Sequence, residues 1–373
     1  MSNPLFGPGG NGEAFYAAGN KSTIQAPGWL EKYGLDAYEY EAGNGISAGE
    51  ATLRAIGEKA REHHIRMSLH TPYFISLSGV EEEKRLRSLD YIGKSLWAAS
   101  LLGADSIVIH SGSAAKISRE EAMALSKDTL ARVADAFGDA GIRLGIETMG
   151  KINQLGTLEE VIEQCRVSPV FAPVVDFGHL NARELGGAFL DVDDYRRVFQ
   201  TIGEQLGDAY ARDLHCHFSK IEYTKAGEKK HLTFEDTEFG PVFEPLAEAI
   251  VREAVSPRII CESAGTMAAD ALAAPVGGFD LTAEPEALDK MKVEDLPDEL
   301  KDLSPEERKA RLDEAVQKRR ELNAQLLELN RKRSEYISES EAKPKPAGAK
   351  ASFDEEVLRS VDSQLRQLRP SAK

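Results

Sequence analysis

Cysteine is scarce in this 373-residue chain: Cys165, Cys216 and Cys261 occur with no paired spacing. That argues against a disulfide framework and fits a reducing compartment. No apolar run approaches the roughly 18 residues needed to span a bilayer. MSNPLFGPGG, at the start, has no basic segment followed by an apolar core. A membrane partner is therefore excluded and a cytoplasmic location is expected. A dinucleotide fingerprint is also missing, because GPGGNG lacks the following acidic ribose partner and helix signature. Nor is there an excess of positive charge. The formal net charge is -16, and residues 276–373 hold 22 acids against 19 Lys and Arg, which leaves −13 on residues 1–275. A nucleic-acid partner would need a local basic or metal-based attraction to offset that field.

What is present is a repeated strand ending. MSLH closes at His70, SIVIH at His110, RLGIE at Glu147, APVVD at Asp176 and RIICE at Glu262, and LHCHF carries His215 and His217. Short β-branched runs bounded by turn residues read as buried strands. Ligand-type residues recurring at their last positions point to one shared rim. Eight strand candidates (Leu5–Phe6, Asp36–Tyr40, Arg66–His70, Ser106–His110, Arg143–Glu147, Pro173–Asp176, His215–Phe218 and Arg258–Glu262) alternate with amphipathic stretches such as Glu82–Leu102 and Arg119–Gly138. The expected fold class is α/β, a (β/α)8 barrel over residues 1–275 whose active site lies at the C-terminal rim. A C-terminal helical extension follows. We read 276–303 as a linker, 304–340 as a long charged helix opened by Ser304, Pro305 and Glu307, 341–351 as a flexible linker and 352–370 as an amphipathic helix. These helices suit a protein partner or self-association.

Eight histidines occur, and six of them (His70, His110, His179, His215, His217 and His231) fall on strand ends or the loops that follow. A lone rim histidine is more often a hydrogen-bonded structural residue, and paired rim acids are more often salt-bridged. Several imidazoles converging with Glu147, Asp176 and Glu262 would be costly without a cation, which favours metal. Asp176 and His179 form a D-x-x-H spacing. His215 and His217 share parity, so both face the barrel interior, and His217, nearer the C-terminal end, is the one that reaches the rim. Seven to eight ligands exceed the four that one zinc takes, so at least two ions are implied. Two metals side by side suit attack on a phosphodiester.

HTPYFISL (His70–Leu77), IVIHSGS (Ile107–Ser113), IETMGK (Ile146–Lys151), VDFGHLNA (Val175–Ala182), CHFSK (Cys216–Lys220), the His231–Gly240 segment and ICESAG (Ile260–Gly265) together resemble endonuclease IV, the zinc-dependent apurinic/apyrimidinic endonuclease. The resemblance covers roughly the first 270 residues in seven ordered motifs. It implies a trinuclear zinc site, with manganese the alternative ion, that cuts damaged double-stranded DNA 5′ to an abasic site in base-excision repair. By matching motif, His70, His110 and Glu147 would hold the first zinc. Glu147 would bridge to a second on Asp176, His217 and Glu262, with Glu147 and Glu262 as the catalytic carboxylates. His179 and His231 would hold the third. Tyr73 and Phe74 match the position where the family presents an aromatic and an apolar wedge to DNA, and Lys220 is a candidate phosphate contact. Two departures stand out. Where the family has an aspartate two positions before its last histidine, this chain has Lys229, so Glu228 or a shifted loop would have to substitute. The loop after the second strand, EAGNGISAGE, lacks the family's arginine. The alternative function is a single-metal sugar isomerase or epimerase of the same barrel type, using Glu147, Asp176, His217 and Glu262 to move protons beside a carbonyl.

Overall fold

The computed structural model describes residues 3–274 and 303–311. Ten strands occur among them: β1 (Leu5–Pro8), β2 (Ala37–Glu41), β3 (Arg66–His70), β4 (Ser106–His110), β5 (Arg143–Glu147), β6 (Phe171–Asp176), β7 (His215–Phe218), β8 (Ile221–Thr224), β9 (Gly227–His231) and β10 (Arg258–Cys261). Eight of them form one parallel sheet in the order β1-β10-β7-β6-β5-β4-β3-β2. The ends of that sheet meet, because Asp36 N–H donates to Phe6 O at 2.9 Å and Gly10 N–H donates to Glu39 O at 2.9 Å. The result is a nearly closed barrel with helices between its strands. All eight strands expected from the sequence are present. The pair β8 and β9, an antiparallel hairpin after β7, was not expected.

Strand alternation sorts the residues. Phe6, Tyr38, Leu69, Ile107, Ile109, Leu144, Ile146, Val175, Cys216, Phe218 and Ile259 are buried in the apolar layer against the helices. The opposite parity faces the barrel interior, where Ala37, Glu39, Ser68, Val108, Ala172, Val174, His215, His217 and Ile260 are buried. Barrel interiors are usually filled by bulky branched side chains. Here the polar Glu39, Ser68, His215 and His217 stand among those apolar residues, and they supply the floor of the rim site.

Helix termini follow local chemistry. Thr157 and Asp191 open their helices with reciprocal capping boxes, and Ser118 accepts from Glu121 N–H. Glu82–Leu102 stops at Gly103, whose φ of 66° is left-handed. Beyond the barrel, Ser304 and Glu307 cap each other reciprocally at the start of a helix over 305–311. The expected linkers, the remainder of that helix and the terminal amphipathic helix lie outside the described residues.

Barrel closure demands one glycine. A Cβ on Gly7 would lie 1.8 Å from the carbonyl oxygen of Ala37, where β1 approaches β2. Gly7→Ala is therefore expected to destabilise the barrel by about 3 kcal/mol or more, seen as a lower urea midpoint. An unchanged midpoint would show that the strands separate there without cost.

Candidate metal centre

Glu147, at the end of β5, is buried, and its two oxygens face different neighbours. Oε2 lies 3.5 Å from His70 Nε2 and 3.4 Å from His110 Nε2. Oε1 lies 3.0 Å from His217 Nδ1 and 3.5 Å from His179 Nδ1. His70 donates its other ring nitrogen, Nδ1, to Thr71 O at 3.0 Å, which leaves Nε2 aimed at Glu147. Two donor groups result, His70 with His110 and Glu147, and Glu147 with Asp176, His217 and Glu262, the donor atoms in each lying within 4.8 Å of one another. One carboxylate is common to both.

Asp176 serves two purposes. Its Oδ1 accepts from His179 N–H at 2.7 Å and caps the helix Phe177–Arg183, while its buried Oδ2 has no hydrogen-bond partner. The same cap draws His179 back over the rim. His179 Nδ1 donates to Thr148 O at 3.0 Å, so Nε2 points to the third group.

That third group is built by the unexpected hairpin. His179, Glu228 and His231 bring one donor atom each within 4.8 Å of one another, with His179 Nε2 3.5 Å from Glu228 Oε2. In a regular strand Glu228 and His231, three apart, would face opposite sides. A register shift between Glu222 and Tyr223 inserts an extra residue in β9 and restores common parity. Lys229 and Lys230 then both pair with Glu222, away from the site. The hairpin is seated on the loop after β5 through Glu228 N–H to Gly150 O at 3.0 Å and Ile152 N–H to Ala226 O at 3.1 Å. Gly150 has to be small, since a Cβ there would lie 2.6 Å from Glu228 Cβ. Arg183 and Arg119 fix the loop by donating to the carbonyls of Met149, Lys151, Ile152 and Gln154. His231 Nδ1 meets Ser219 Oγ at 2.8 Å, which leaves its Nε2 for the group. Lys229 is thus no obstacle.

Sequence reasoning overlooked Glu39. This fully buried β2 residue reaches across the barrel, its Oε1 2.9 Å from His217 Nε2 and its Oε2 3.2 Å from His215 Nε2. The one sequence signal was AYEYE, with Glu39 and Glu41 on the inward parity of a strand whose tyrosines face the other way. His215 sits a layer below His217, near Ser106 Oγ at 3.4 Å.

Tyr73 is exposed at the mouth, stacked on His110 with centroids 5.3 Å apart and backed by Gly43, where a Cβ would lie 2.4 Å from the ring. Phe74 is also half-exposed but packs edge-on against Tyr91. Lys220 is engaged elsewhere. Its ammonium donates to Phe234 O at 2.8 Å and to Asp236 O, pinning the loop after β9.

The electrostatics describe a site that wants positive charge. Burial pushes the Glu147 carboxyl up, but the surrounding His217, His179 and His70 imidazoles overcome it and hold the group well below the usual carboxylate range. Burial, with Glu147 and Asp176 nearby, pushes Glu262 up to about 8 despite His217. Burial lowers His110 to about 3. Against burial, the neighbouring carboxylates raise His70 to about 10 and His179 and His217 well above the usual imidazole value; neutral imidazole and ionised carboxylate are the forms that ligate divalent metals, so binding an ion there would displace these protons. The unpartnered buried oxygens Glu147 Oε2 and Asp176 Oδ2 fit such ions, as does the nitrogen and oxygen donor set.

A family model described as xylose isomerase-like TIM barrel matches residues 27–276. An uncharacterised protein of Methanocaldococcus jannaschii is 30% identical over 236 residues, 63% of this chain and 84% of that protein. A probable endonuclease 4 of Acholeplasma laidlawii is 28% identical over 245 residues, 59% of this chain and 79% of that protein. Among solved structures, endonuclease IV from Thermus thermophilus superposes with a TM-score of 0.53 at 19% identity, covering 77% of this chain and 100% of that one. The 3-keto-D-glucoside 4-epimerase of E. coli gives 0.54 at 15% identity, covering 73% and 97%. At such identities the structural likeness speaks for the fold alone. With the family model spanning most of the chain and the eight-stranded barrel formed as that family requires, this protein belongs to the xylose isomerase-like TIM-barrel family.

Proposed function

We propose that this barrel is a zinc-dependent phosphodiesterase of the endonuclease IV type, which cuts duplex DNA 5′ to abasic sites. The observation that carries this reading is three adjoining donor groups at one rim, two of them sharing the Glu147 carboxylate. A single-metal isomerase needs only Glu147, Asp176, His217 and Glu262. It has no use for His70 with His110, nor for His179, Glu228 and His231.

Divalent ions held by these groups would activate water and neutralise charge on phosphoryl oxygens. The chain's own residues do the arranging. Glu147 keeps the first two groups adjacent, and Asp176 joins the second group to the third through His179. Tyr73, stacked beside His110 at the mouth, offers a ring face to an extruded sugar or base. The backbone-bound ammonium of Lys220 leaves phosphate recognition chiefly to the metal groups.

One observation favours the sugar isomerase or epimerase reading. Glu41 and Glu262 crowd their carboxylates within 4.8 Å of each other and of the buried Glu39, next to the arginine-free loop after β2. Such a surface repels a polyanion and suits neutral hydroxyl groups.

Elemental analysis of the purified protein, together with cleavage of a duplex carrying one tetrahydrofuran abasic analogue, separates the two. Three zincs per chain and a single 5′ cut are expected, whereas one metal and no cut would turn the assignment to sugar chemistry. Glu147→Gln should reduce cleavage by roughly 10³-fold or more, in line with the loss of a key charge-stabilising group, and should release metal. Full metal content with retained turnover would refute its shared role. Glu228→Gln should cost one zinc equivalent while Lys229→Ala keeps all three, and the opposite pattern would disprove the bulge-built third group.

A further inference from the structure

The metal-centre reading leaves a buried glutamate unexplained. Glu39 belongs to none of the three groups around Glu147 and Asp176, yet it is fully buried and forms a further cluster with both histidines of β7, their facing atoms within 4.8 Å of one another and without an in-line hydrogen bond. An ionised side chain is buried in a barrel interior only where something compensates it. His217 Nδ1 faces Glu147 Oε1 at 3.0 Å and Glu262 Oε1 at 3.3 Å, while its Nε2 faces Glu39 Oε1 at 2.9 Å. Below, His215 places Nε2 3.2 Å from Glu39 Oε2 and Nδ1 3.4 Å from Ser106 Oγ. Ser106 Oγ accepts from Arg258 at 3.2 Å, and Arg258 is held by both Asp105 oxygens at 2.7 and 2.8 Å.

We propose that Glu39 is a positioning residue: its carboxylate, 2.9 Å from Nε2 of His217, draws the imidazole proton to that side and so fixes the tautomer that turns Nδ1 toward the second metal group, with His215 beside it on the other oxygen. A carboxylate behind a ligand imidazole orients the ring and raises its basicity, and losing such a partner typically lowers metal affinity 10–100-fold. The chain from Asp105 through Arg258, Ser106 and His215 anchors this arrangement to the N-terminal ends of β4 and β10. This inference rests on the metal reading of the rim.

The test uses the full chain, with zinc as the probe. Stepwise competition against a chromophoric chelator is run on the wild type, Glu39→Gln, Glu39→Asp and His215→Asn, and long-range ¹⁵N–¹H spectra of the zinc-loaded proteins report the His217 tautomer. In the wild type, Nδ1 should be coordinated and Nε2 protonated. Glu39→Gln should weaken one zinc equivalent by about 10–100-fold with the others unchanged. Glu39→Asp, which keeps the charge on a shorter arm, should recover part of that loss. His215→Asn should weaken the same equivalent by less. If Glu39→Gln does not fold, Glu39→Asp and His215→Asn carry the comparison. Unchanged zinc affinities and tautomer across the variants would overturn this inference alone. So would removal of a separate, fourth equivalent with the His217 tautomer intact, which would make Glu39 a ligand. A wild type that takes up no zinc overturns the metal reading together with this one.

Discussion

Buried carboxylates that converge on one point must be compensated, and the upper half of this barrel is organised around that requirement. Glu39, Glu147 and Asp176 are all essentially removed from solvent, and Glu262 stands beside them. Histidines surround them from five elements. The imidazoles reduce the repulsion but do not satisfy every oxygen, since Glu147 Oε2 and Asp176 Oδ2 keep no hydrogen-bond partner among the described residues. Divalent ions would bring the missing charge with the geometry that such oxygens require. The same constraint reaches down the barrel axis, where polar side chains occupy positions that a purely structural barrel gives to valine and isoleucine.

The periphery is subordinate to that centre. Arg183 and Arg119 gather the carbonyls of the loop after β5, which gives the hairpin a fixed seat, and the seat brings Glu228 to His179. Asp176 performs the analogous task from within, because one carboxylate both starts a helix and leaves an oxygen for the rim. Membership of the xylose isomerase-like family supplies the barrel. It does not choose between phosphodiester and sugar chemistry, since both occur among structures that share the fold. The choice lies in the donor groups beyond the four that one metal needs.

Much of this was legible in the sequence. The barrel strands announced themselves as short apolar runs, and a histidine or carboxylate at the end of a run marked the rim. Parity turned both His215 and His217 inward, and their order along the strand set them at different depths, with His217 nearer the C-terminal end. Glu39 escaped notice since AYEYE reads as a half-exposed strand, and only closure of β1 onto β2 buries it. Nothing in the sequence shows that the Lys220 ammonium is bound, because the chain after β9 that folds back over it comes 14 residues later. The hairpin itself was missed: GEKKH carries little β-branched or apolar signal, and its pairing depends on a seat contributed from about eighty residues away.

The bulge in β9 has an evolutionary corollary. Which side of a strand a residue faces is a matter of counting, so an added residue between two ligands reverses one of them unless a bulge absorbs it. Here the bulge absorbs it, with Glu222 taking both lysines on the far side. The segment between Glu228 and His231 is therefore free in composition and fixed in length. Relatives can replace its lysines without consequence for the rim, but a deletion there must be matched by loss of the bulge.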